Sequence, residues 1–264
     1  MTYDDDLPNS RSSITARAAD GRVSTTGPWA MLAARFLLFV GCQALFALAL
    51  ALWRDPHPWT ASVRWWPVTA TLANFICLVV VARLVRADGL SLKDLYAPDR
   101  RAWKRDTLLF LGAFVVLGPL VMLPSSLLAL AIWGNVNAST PIMFQALPMW
   151  VVVPLLVLFP VSIALSELPA YFGYAMPRLQ VATGRPVAIW LLASAALATQ
   201  HVALPLVFDW RFALWRLVMY APFALFVGWA IWRRPTLMPY FMGIHVLLDT
   251  SVPIYVLLAS LGRL

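Results

Sequence analysis

The sequence predicts an all-α fold, a polytopic bundle of about seven transmembrane helices within a range of six to eight. Three observations carry this prediction. Of the 264 residues, 61% are apolar and 12% are charged, whereas soluble domains carry about 25% charged residues. Uncharged stretches long enough to cross a bilayer recur along the chain. Lysine and arginine residues cluster in alternate loops between these stretches, as they do in membrane proteins.

The chain divides into a tail and a membrane domain. Residues 1–28 are rich in Asp, Ser, Thr and Arg and lack a sustained apolar pattern, so they predict a disordered cytoplasmic tail. Residues 29–264 are the predicted transmembrane helical domain. Its first apolar run is too long for the core of a cleavable signal peptide and predicts a span. The predicted spans are 30–53, 66–84, 107–133, 150–176, 187–208, 212–232 and 236–258.

The basic residues predict the orientation. With the tail in the cytoplasm, 14 of the 20 Lys and Arg residues lie on the cytoplasmic side and four on the opposite side, with Arg35 and Arg216 inside spans. The positive-inside rule therefore predicts a cytoplasmic N-terminus. The same distribution accounts for the net charge of +8 without nucleic acid as a partner. The basic loop 89–106 predicts either a short interfacial helix or a solvated segment.

The two cysteines, Cys42 and Cys77, fall inside apolar runs. Oxidising solvent does not reach such positions, so they predict neither a disulfide framework nor a paired-thiol metal site.

Four ionisable residues lie where lipid should exclude them. They are the only glutamate, Glu167, together with His201, His245 and Asp249. Glu167 and His245 each stand 11 residues from the nearest cytoplasmic arginine of their span, which is about 16 Å of helix. For His201 and Asp249 the separations are about 24 and 22 Å. Because burying such groups is costly, a shared layer near mid-membrane predicts a functional site.

Two interpretations of this layer remain open. A carboxylate beside imidazoles in a poorly solvated pocket can act as a general base toward water. The alternative is that the four side chains are hydrogen-bonding groups that join the helices of the bundle. His245 and Asp249 are four residues apart, so in either case they lie on one helix face.

Three short motifs in this region resemble those of the CPBP family of intramembrane proteases, which includes CAAX prenyl endopeptidases of type II and bacteriocin-processing proteins. The first is ELPAYFGYAMPRLQ at 167–180, the second is LATQH at 197–201, and the third is HVLLD at 245–249. The family patterns are EExxxR, FxxxH and HxxxN or HxxxD. The resemblance covers about residues 150–255, which would be the catalytic core.

The resemblance implies an intramembrane glutamic-type endopeptidase. Glu167 and His201 would activate a water that hydrolyses a peptide bond of a membrane-associated substrate, lipidated or not, while His245 and Asp249 would face the oxyanion. This mechanism needs no cofactor, although Glu167, His201 and His245 are residue types that also hold zinc. Membrane lipids are further expected partners, and a bacterial inner membrane is the expected location. The oligomeric state is not predicted.

The motifs depart from the family at three positions, which motivates two alternatives. Leu168 replaces the second glutamate, Phe172 replaces the arginine, and Leu197 replaces the phenylalanine of FxxxH. The first alternative is a catalytically impaired CPBP-like scaffold or immunity factor. The second is a small transporter or proton relay that carries protons on its buried ionisable groups.

Overall fold

The computed structural model describes residues 7–96 and 101–264, and these residues are almost entirely helical. Within the two ranges, the only strand-like pairing is a single bridge between Ala203 and Leu206. The predicted all-α class is confirmed.

The described residues form twelve α-helices in chain order. They are α1 (Arg11–Ala19), α2 (Gly27–Leu52), α3 (Pro58–Val63), α4 (Trp66–Ala87), α5 (Trp103–Trp133), α6 (Thr140–Met143), α7 (Met149–Leu168), α8 (Met176–Thr183), α9 (Pro186–Gln200), α10 (Trp210–Arg233), α11 (Met238–Asp249) and α12 (Ser251–Ser260). Short 3₁₀ helices at Leu92–Leu95 and Pro235–Leu237, and a π-helical segment at Pro169–Ala175, join some of them.

Six helical stretches of the described chain are long and apolar enough to cross a membrane. They are Gly27–Leu52, Trp66–Ala87, Trp103–Trp133, Met149–Thr183, Trp210–Arg233 and Pro235–Ser260. Their outer faces are apolar, as a lipid-facing surface requires. On α5, for example, Leu108, Val115 and Met122 follow one another at seven-residue intervals, and each is at least 70% exposed. The chain is therefore an integral membrane protein of the polytopic helical class.

The predicted span 187–208 is shorter in the structure. Helix α9 ends at Gln200, and the chain then turns through residues 201–209 before α10. Fifteen helical residues measure about 22 Å, less than the hydrocarbon thickness of about 30 Å. Pro205 cannot donate a backbone hydrogen bond, so it does not support a continued helix. This early end places His201 in a turn and not inside a helix.

The structure also differs from the expectation of a disordered tail where it describes that tail. Helix α1 begins after Ser10, whose hydroxyl accepts from the backbone N–H of Ser13. Ile14 is 1% exposed, and the Asn9 side chain donates to the carbonyl of Gly173 at 2.8 Å. The cap at Ser10, the buried Ile14 and the hydrogen bond from the Asn9 side chain hold this otherwise polar segment against the bundle. Residues 1–6 lie outside the described ranges.

Two ion pairs join the segments predicted to lie on the cytoplasmic side. Arg178 donates to Asp88 at 2.6 Å, and both side chains are 1% exposed. Arg234 pairs with Asp106. The two contacts connect the ends of helices that the charge distribution assigns to one side, so the helices alternate in direction as predicted. We call this end of the bundle the ion-pair end.

The basic loop lies at the ion-pair end. Its 3₁₀ helix carries a buried Leu95, which packs inward beside Gly173. Helix α5 begins at Trp103. The centre of the loop, residues 97–100, is outside the described ranges, so the choice between an interfacial helix and a solvated loop stays a prediction there.

A π-helical segment follows directly after Glu167. Pro169 has no backbone N–H, so the carbonyl of Leu165 loses its usual α-helical donor. That carbonyl instead lies 3.5 Å from the hydroxyl of Tyr96. The wider turn from Pro169 to Ala175 continues α7 into α8 without a break. Segments of this kind are frequent at functional sites.

Candidate active site

The carboxylate of Glu167 lies at the centre of the bundle and is fully buried. Its Oε1 contacts Nε2 of His245 at 2.9 Å. Its Oε2 accepts from the side-chain amide of Gln200 and lies 3.4 Å from the guanidinium of Arg35. Four separate helices therefore meet at one carboxylate, and both of its oxygens contact polar groups of the protein.

Arg35 supplies the cation for this carboxylate. Its guanidinium donates to Gln200 at 2.7 Å, to Ser166 at 2.8 Å and to Asn74 at 2.9 Å. The side chain is 1% exposed. A buried arginine is tolerable when its charge is paired and its donors are used, and both conditions hold here.

The sequence motifs gave no indication of Arg35 as a partner of the site. The replacement of the family's arginine by Phe172 predicts a Glu167 without a cation, and the structure corrects this expectation. The signal that identifies Arg35 is its own position, a charged residue inside an otherwise apolar span. Phe172 instead packs its ring against Gly228, where an added Cβ would lie only 2.7 Å from it.

His245 links Glu167 to Asp249. While Nε2 contacts Glu167, Nδ1 lies 3.3 Å from Oδ2 of Asp249, one helical turn further on α11. The second distance is within ion-pair range but lacks hydrogen-bond geometry, and this aspartate oxygen has no protein donor in the described chain. A neutral imidazole has one N–H. The single imidazole proton of His245 can therefore lie on Nε2, facing Glu167, or on Nδ1, facing Asp249.

His201 lies in the turn after α9 and faces a different neighbour. Its Nδ1 is 2.9 Å from the carbonyl of Leu197, so Nδ1 carries the proton and Nε2 keeps its lone pair. The imidazole stacks on the ring of Tyr220, with 3.7 Å between the ring centroids. This arrangement fixes both the tautomer and the plane of the ring.

Arg216, the second arginine inside a span, holds the turn that carries His201. It donates to the backbone carbonyls of His201, at 3.0 Å, and of Leu204. Its guanidinium also lies over the ring of Tyr220 at 5.1 Å. Because a turn leaves backbone carbonyls without helical donors, a buried guanidinium that supplies two of them stabilises the turn.

A cavity of about 500 Å³ opens beside these residues. Its wall includes His201, Arg216, Tyr220 and Asp249. The volume is within the range of ligand-binding pockets. The rest of the lining comes from α4, α5, α7, α10, α12, the turn after α9 and the connection between α5 and α7: Trp66, Ser125, Val136, Asn137, Ser139, Thr140, Met143, Phe144, Phe159, Ile163, Leu204, Trp215, Met219, Ser251, Val252 and Tyr255.

The structure brings the four predicted residues together in two groups. Glu167, His245 and Asp249 form one chain of contacts, as the equal depths of Glu167 and His245 and the four-residue spacing of His245 and Asp249 predicted. His201 shares the cavity wall with Asp249, but within residues 7–96 and 101–264 no hydrogen bond joins it to Glu167. Its neighbour Gln200 makes that contact, because α9 turns Gln200 inward at its last residue. The pairing of Glu167 with His201 on one water stays a prediction.

A zinc site at Glu167, His201 and His245 does not fit this arrangement. The described residues contain no group of three or more His, Cys, Asp or Glu side chains gathered around one point. Of these three residues, Glu167 and His245 are in contact, while Nδ1 of His201 faces the carbonyl of Leu197.

Comparison of the chain with protein-family models, with curated proteins and with solved structures finds no match. The functional conclusion therefore depends on the geometry of the site and on the motif resemblance.

Proposed function

We propose that this chain is an intramembrane endopeptidase of the CPBP type, which hydrolyses a peptide bond of a membrane-associated substrate. One observation carries the proposal. A fully buried carboxylate, Glu167, contacts His245, whose other ring nitrogen faces Asp249 on the wall of a cavity that His201 also lines. A chain of proton carriers that ends at a cavity suits the activation of water.

In the proposed reaction, a water in the cavity attacks the peptide carbonyl carbon. The water gives its proton to the pair that the resemblance assigns to this step, Glu167 and His201, of which His201 lines the cavity and has a free lone pair on Nε2. The new C–O bond places negative charge on the carbonyl oxygen, which faces Asp249 in its protonated form and the N–H groups of Arg216. When the C–N bond breaks, the accepted proton passes to the leaving amine.

Arg35 supports this assignment because it provides what the motif lacks. In the family pattern a cation follows the first glutamate, and here that position is Phe172. A guanidinium on α2 instead lies 3.4 Å from Glu167 and also binds Gln200, which donates to the same carboxylate. The proposal therefore needs no cation on α7 or α8.

The test compares protein termini in membranes that contain the chain with those that contain Glu167→Gln. We expect the abundance of the protein termini that the unaltered chain generates to fall by at least about 100-fold in the variant, as for removal of a general base. His201→Ala should give the same loss. Asp209→Asn, which changes an exposed carboxylate to an amide at the cap of α10, is the matched control. Undiminished cleavage by Glu167→Gln at equal protein abundance contradicts the proposal.

One observation favours a second candidate, a catalytically impaired scaffold or immunity factor. Glu167 is 0% exposed and both of its oxygens contact polar side chains of the protein. This arrangement also suits a purely structural carboxylate. The scaffold predicts that Glu167→Gln and His201→Ala keep the phenotype of the unaltered chain, while bulky substitutions at the cavity wall remove it.

The proposal includes the membrane in which the protein lies. Six apolar spans indicate an integral membrane protein. The positive-inside rule and the resemblance together favour a bacterial inner membrane, with the ion-pair end in the cytoplasm.

A further inference from the structure

We infer that the substrate of the proposed endopeptidase is a peptide segment exposed on the non-cytoplasmic face of the membrane, which enters the cavity from that side. The inference rests on the proposed function for the identity of the ligand as a substrate. The direction of access stands on separate observations of the cavity and of the charges.

The first observation is where the cavity lining comes from. The connection between α5 and α7 contributes Val136, Asn137, Ser139 and Thr140, and the turn after α9 contributes Leu204. Both segments lie at the end of the bundle opposite the ion-pair end, since each follows the far end of a helix that begins there. We call this the cavity end.

The second observation is where the cavity is exposed. Among its lining residues, Val136, Asn137, Ser251 and Tyr255 are exposed, and all four belong to the cavity end. Residues deeper in the bundle, such as Phe159, are buried. The mouth of the cavity is therefore at the cavity end.

The third observation concerns the ion-pair end, where two ion pairs join the described segments. Asp88 pairs with Arg178 and Asp106 with Arg234, and a pocket at this end has a volume of about 120 Å³. Asp249 lies 15 residues beyond Arg234, about 22 Å along the helix, so the candidate active site is nearer the cavity end. A route from the cytoplasm would have to break the two ion pairs or pass between packed helices.

The charge distribution then assigns the sides. Among the described residues, 13 Lys and Arg residues lie at the ion-pair end and five lie at the cavity end, one of which is the buried Arg216. The cavity end is therefore non-cytoplasmic by the positive-inside rule. A substrate that reaches Asp249 and His201 must present its scissile bond on that face, in the hydroxyl-bearing and aromatic lining that Ser139, Thr140 and Tyr255 provide.

Cysteines added one at a time and labelled with a membrane-impermeant maleimide test the side from which the cavity is accessible. The native Cys42 and Cys77 are buried, so the unaltered chain gives the background. Asn137→Cys and Ser251→Cys report on the mouth, and Ser139→Cys, at 8% exposure, reports on the cavity wall. Ala87→Cys, exposed at the last residue of α4, is the matched control at the ion-pair end.

In spheroplasts, we expect at least about tenfold faster labelling at residues 137 and 251 than at residue 87, and the opposite order in inverted vesicles. Residue 139 should follow residue 137, at a lower rate. Labelling of residues 137 and 251 only in inverted vesicles overturns the inference. Since residue 137 lies in the turn after α5 and residue 251 is the first residue of α12, failure of one variant to fold leaves the other to decide.

A second measurement separates this inference from the proposed function. Labelling Ser139→Cys from outside should lower the abundance of the Glu167-dependent protein termini by at least about tenfold. If the label attaches but cleavage persists, the substrate takes another route and the inference is wrong while the proposed function stands. If cleavage never depends on Glu167, the proposed function fails, and the labelling rates still decide the direction of access.

Discussion

The two ends of the bundle differ in how their polar groups are used. At the ion-pair end, charged side chains bind one another, and the described tail packs Asn9 against Gly173. At the cavity end, Arg216 binds backbone carbonyls of a turn, and His201 and Asp249 face an open volume of about 500 Å³. Arginine and aspartate side chains therefore pair with one another at the ion-pair end, whereas at the cavity end they line an accessible cavity.

This difference indicates how the fold divides its tasks. A helical bundle needs one region that fixes the relative positions of the helices, since no hydrophobic effect drives helix association within lipid. The ion-pair end and the Arg35 cluster supply that fixation. The turn after α9 is then free to interrupt a helix and to expose an imidazole, which a regular helix in lipid cannot do without loss of backbone hydrogen bonds.

The largest expected effect is that of Arg35→Leu, which removes the cation between the two ends. Glu167 would become an unpaired buried carboxylate, and breaking such a pair costs about 3–5 kcal/mol. We expect the free energy of unfolding, measured in mixed detergent and SDS micelles, to fall by about that amount.

The double variant Arg35→Leu/Glu167→Gln tests the cause of this loss. With the carboxylate replaced by an amide, no charge remains unpaired, so we expect the double variant to recover at least about 1 kcal/mol relative to Arg35→Leu. If the two single effects simply add, Arg35 does not stabilise the protein through Glu167.

The sequence predicted the parts of the site that helical periodicity and depth determine. Equal distances from flanking arginines placed Glu167 level with His245, and the two are in contact at 2.9 Å. The four-residue spacing placed Asp249 beside His245. The six helices that can cross a membrane all overlap predicted spans.

Other parts depended on contacts that no sequence period specifies. Whether Arg35 faces Glu167 depends on how α2 is rotated in the bundle, and the apolar pattern of a span that is hydrophobic on every side does not fix that rotation. The end of α9 at Gln200, which sends Gln200 and not His201 to Glu167, depends on the hydrogen bonds that Arg216 donates to backbone carbonyls of the following turn. The order of helix α1 depends on the buried Ile14, the Ser10 cap and the contact of Asn9 with Gly173, which no apolar period specifies.

The next largest effect concerns the ion-pair end. Asp88→Asn removes the charge that Arg178 pairs with, while Arg178 keeps its contact with the carbonyl of Tyr174 at 3.2 Å. We therefore expect a loss of about 3 kcal/mol of unfolding free energy, at the low end of the cost of breaking a buried pair.

If the two ends are independent, Asp88→Asn should not change the accessibility of the cavity end. Maleimide labelling of Ser139→Cys should change less than about twofold when Asp88→Asn is added. The exposed pair of Asp20 with Arg22 is the matched control, and Asp20→Asn should cost under about 1 kcal/mol. A large increase in labelling at residue 139 would show that the two ends are not independent.

A smaller effect is expected at the cavity end from Arg216→Lys. Lysine keeps the charge but cannot donate to the carbonyls of His201 and Leu204 with one planar fork. Losing a hydrogen bond from a charged donor costs about 2 kcal/mol. The loosened turn should also lower the rate of Glu167-dependent cleavage by at least about tenfold, whereas Asp88→Asn, corrected for protein abundance, should not.

The smallest effect is that of Tyr220→Phe, which divides the support of His201 into its two components. The substitution keeps the ring that stacks on the imidazole at 3.7 Å and removes only the hydroxyl, which lies 3.4 Å from Arg216. We expect a loss of about 0.5–1 kcal/mol and a fall in cleavage rate of less than about threefold. Tyr255→Phe, at the mouth of the cavity, is the control for loss of a hydroxyl.

Tyr220→Leu completes that comparison, because it removes the ring as well. If stacking holds the imidazole in its plane, the leucine variant should lose at least about tenfold more cleavage activity than Tyr220→Phe at equal protein abundance. Equal activity of the two variants would mean that the carbonyl contacts of Arg216 are sufficient to orient His201. The cavity end would then depend on one arginine, as the centre of the bundle depends on Arg35.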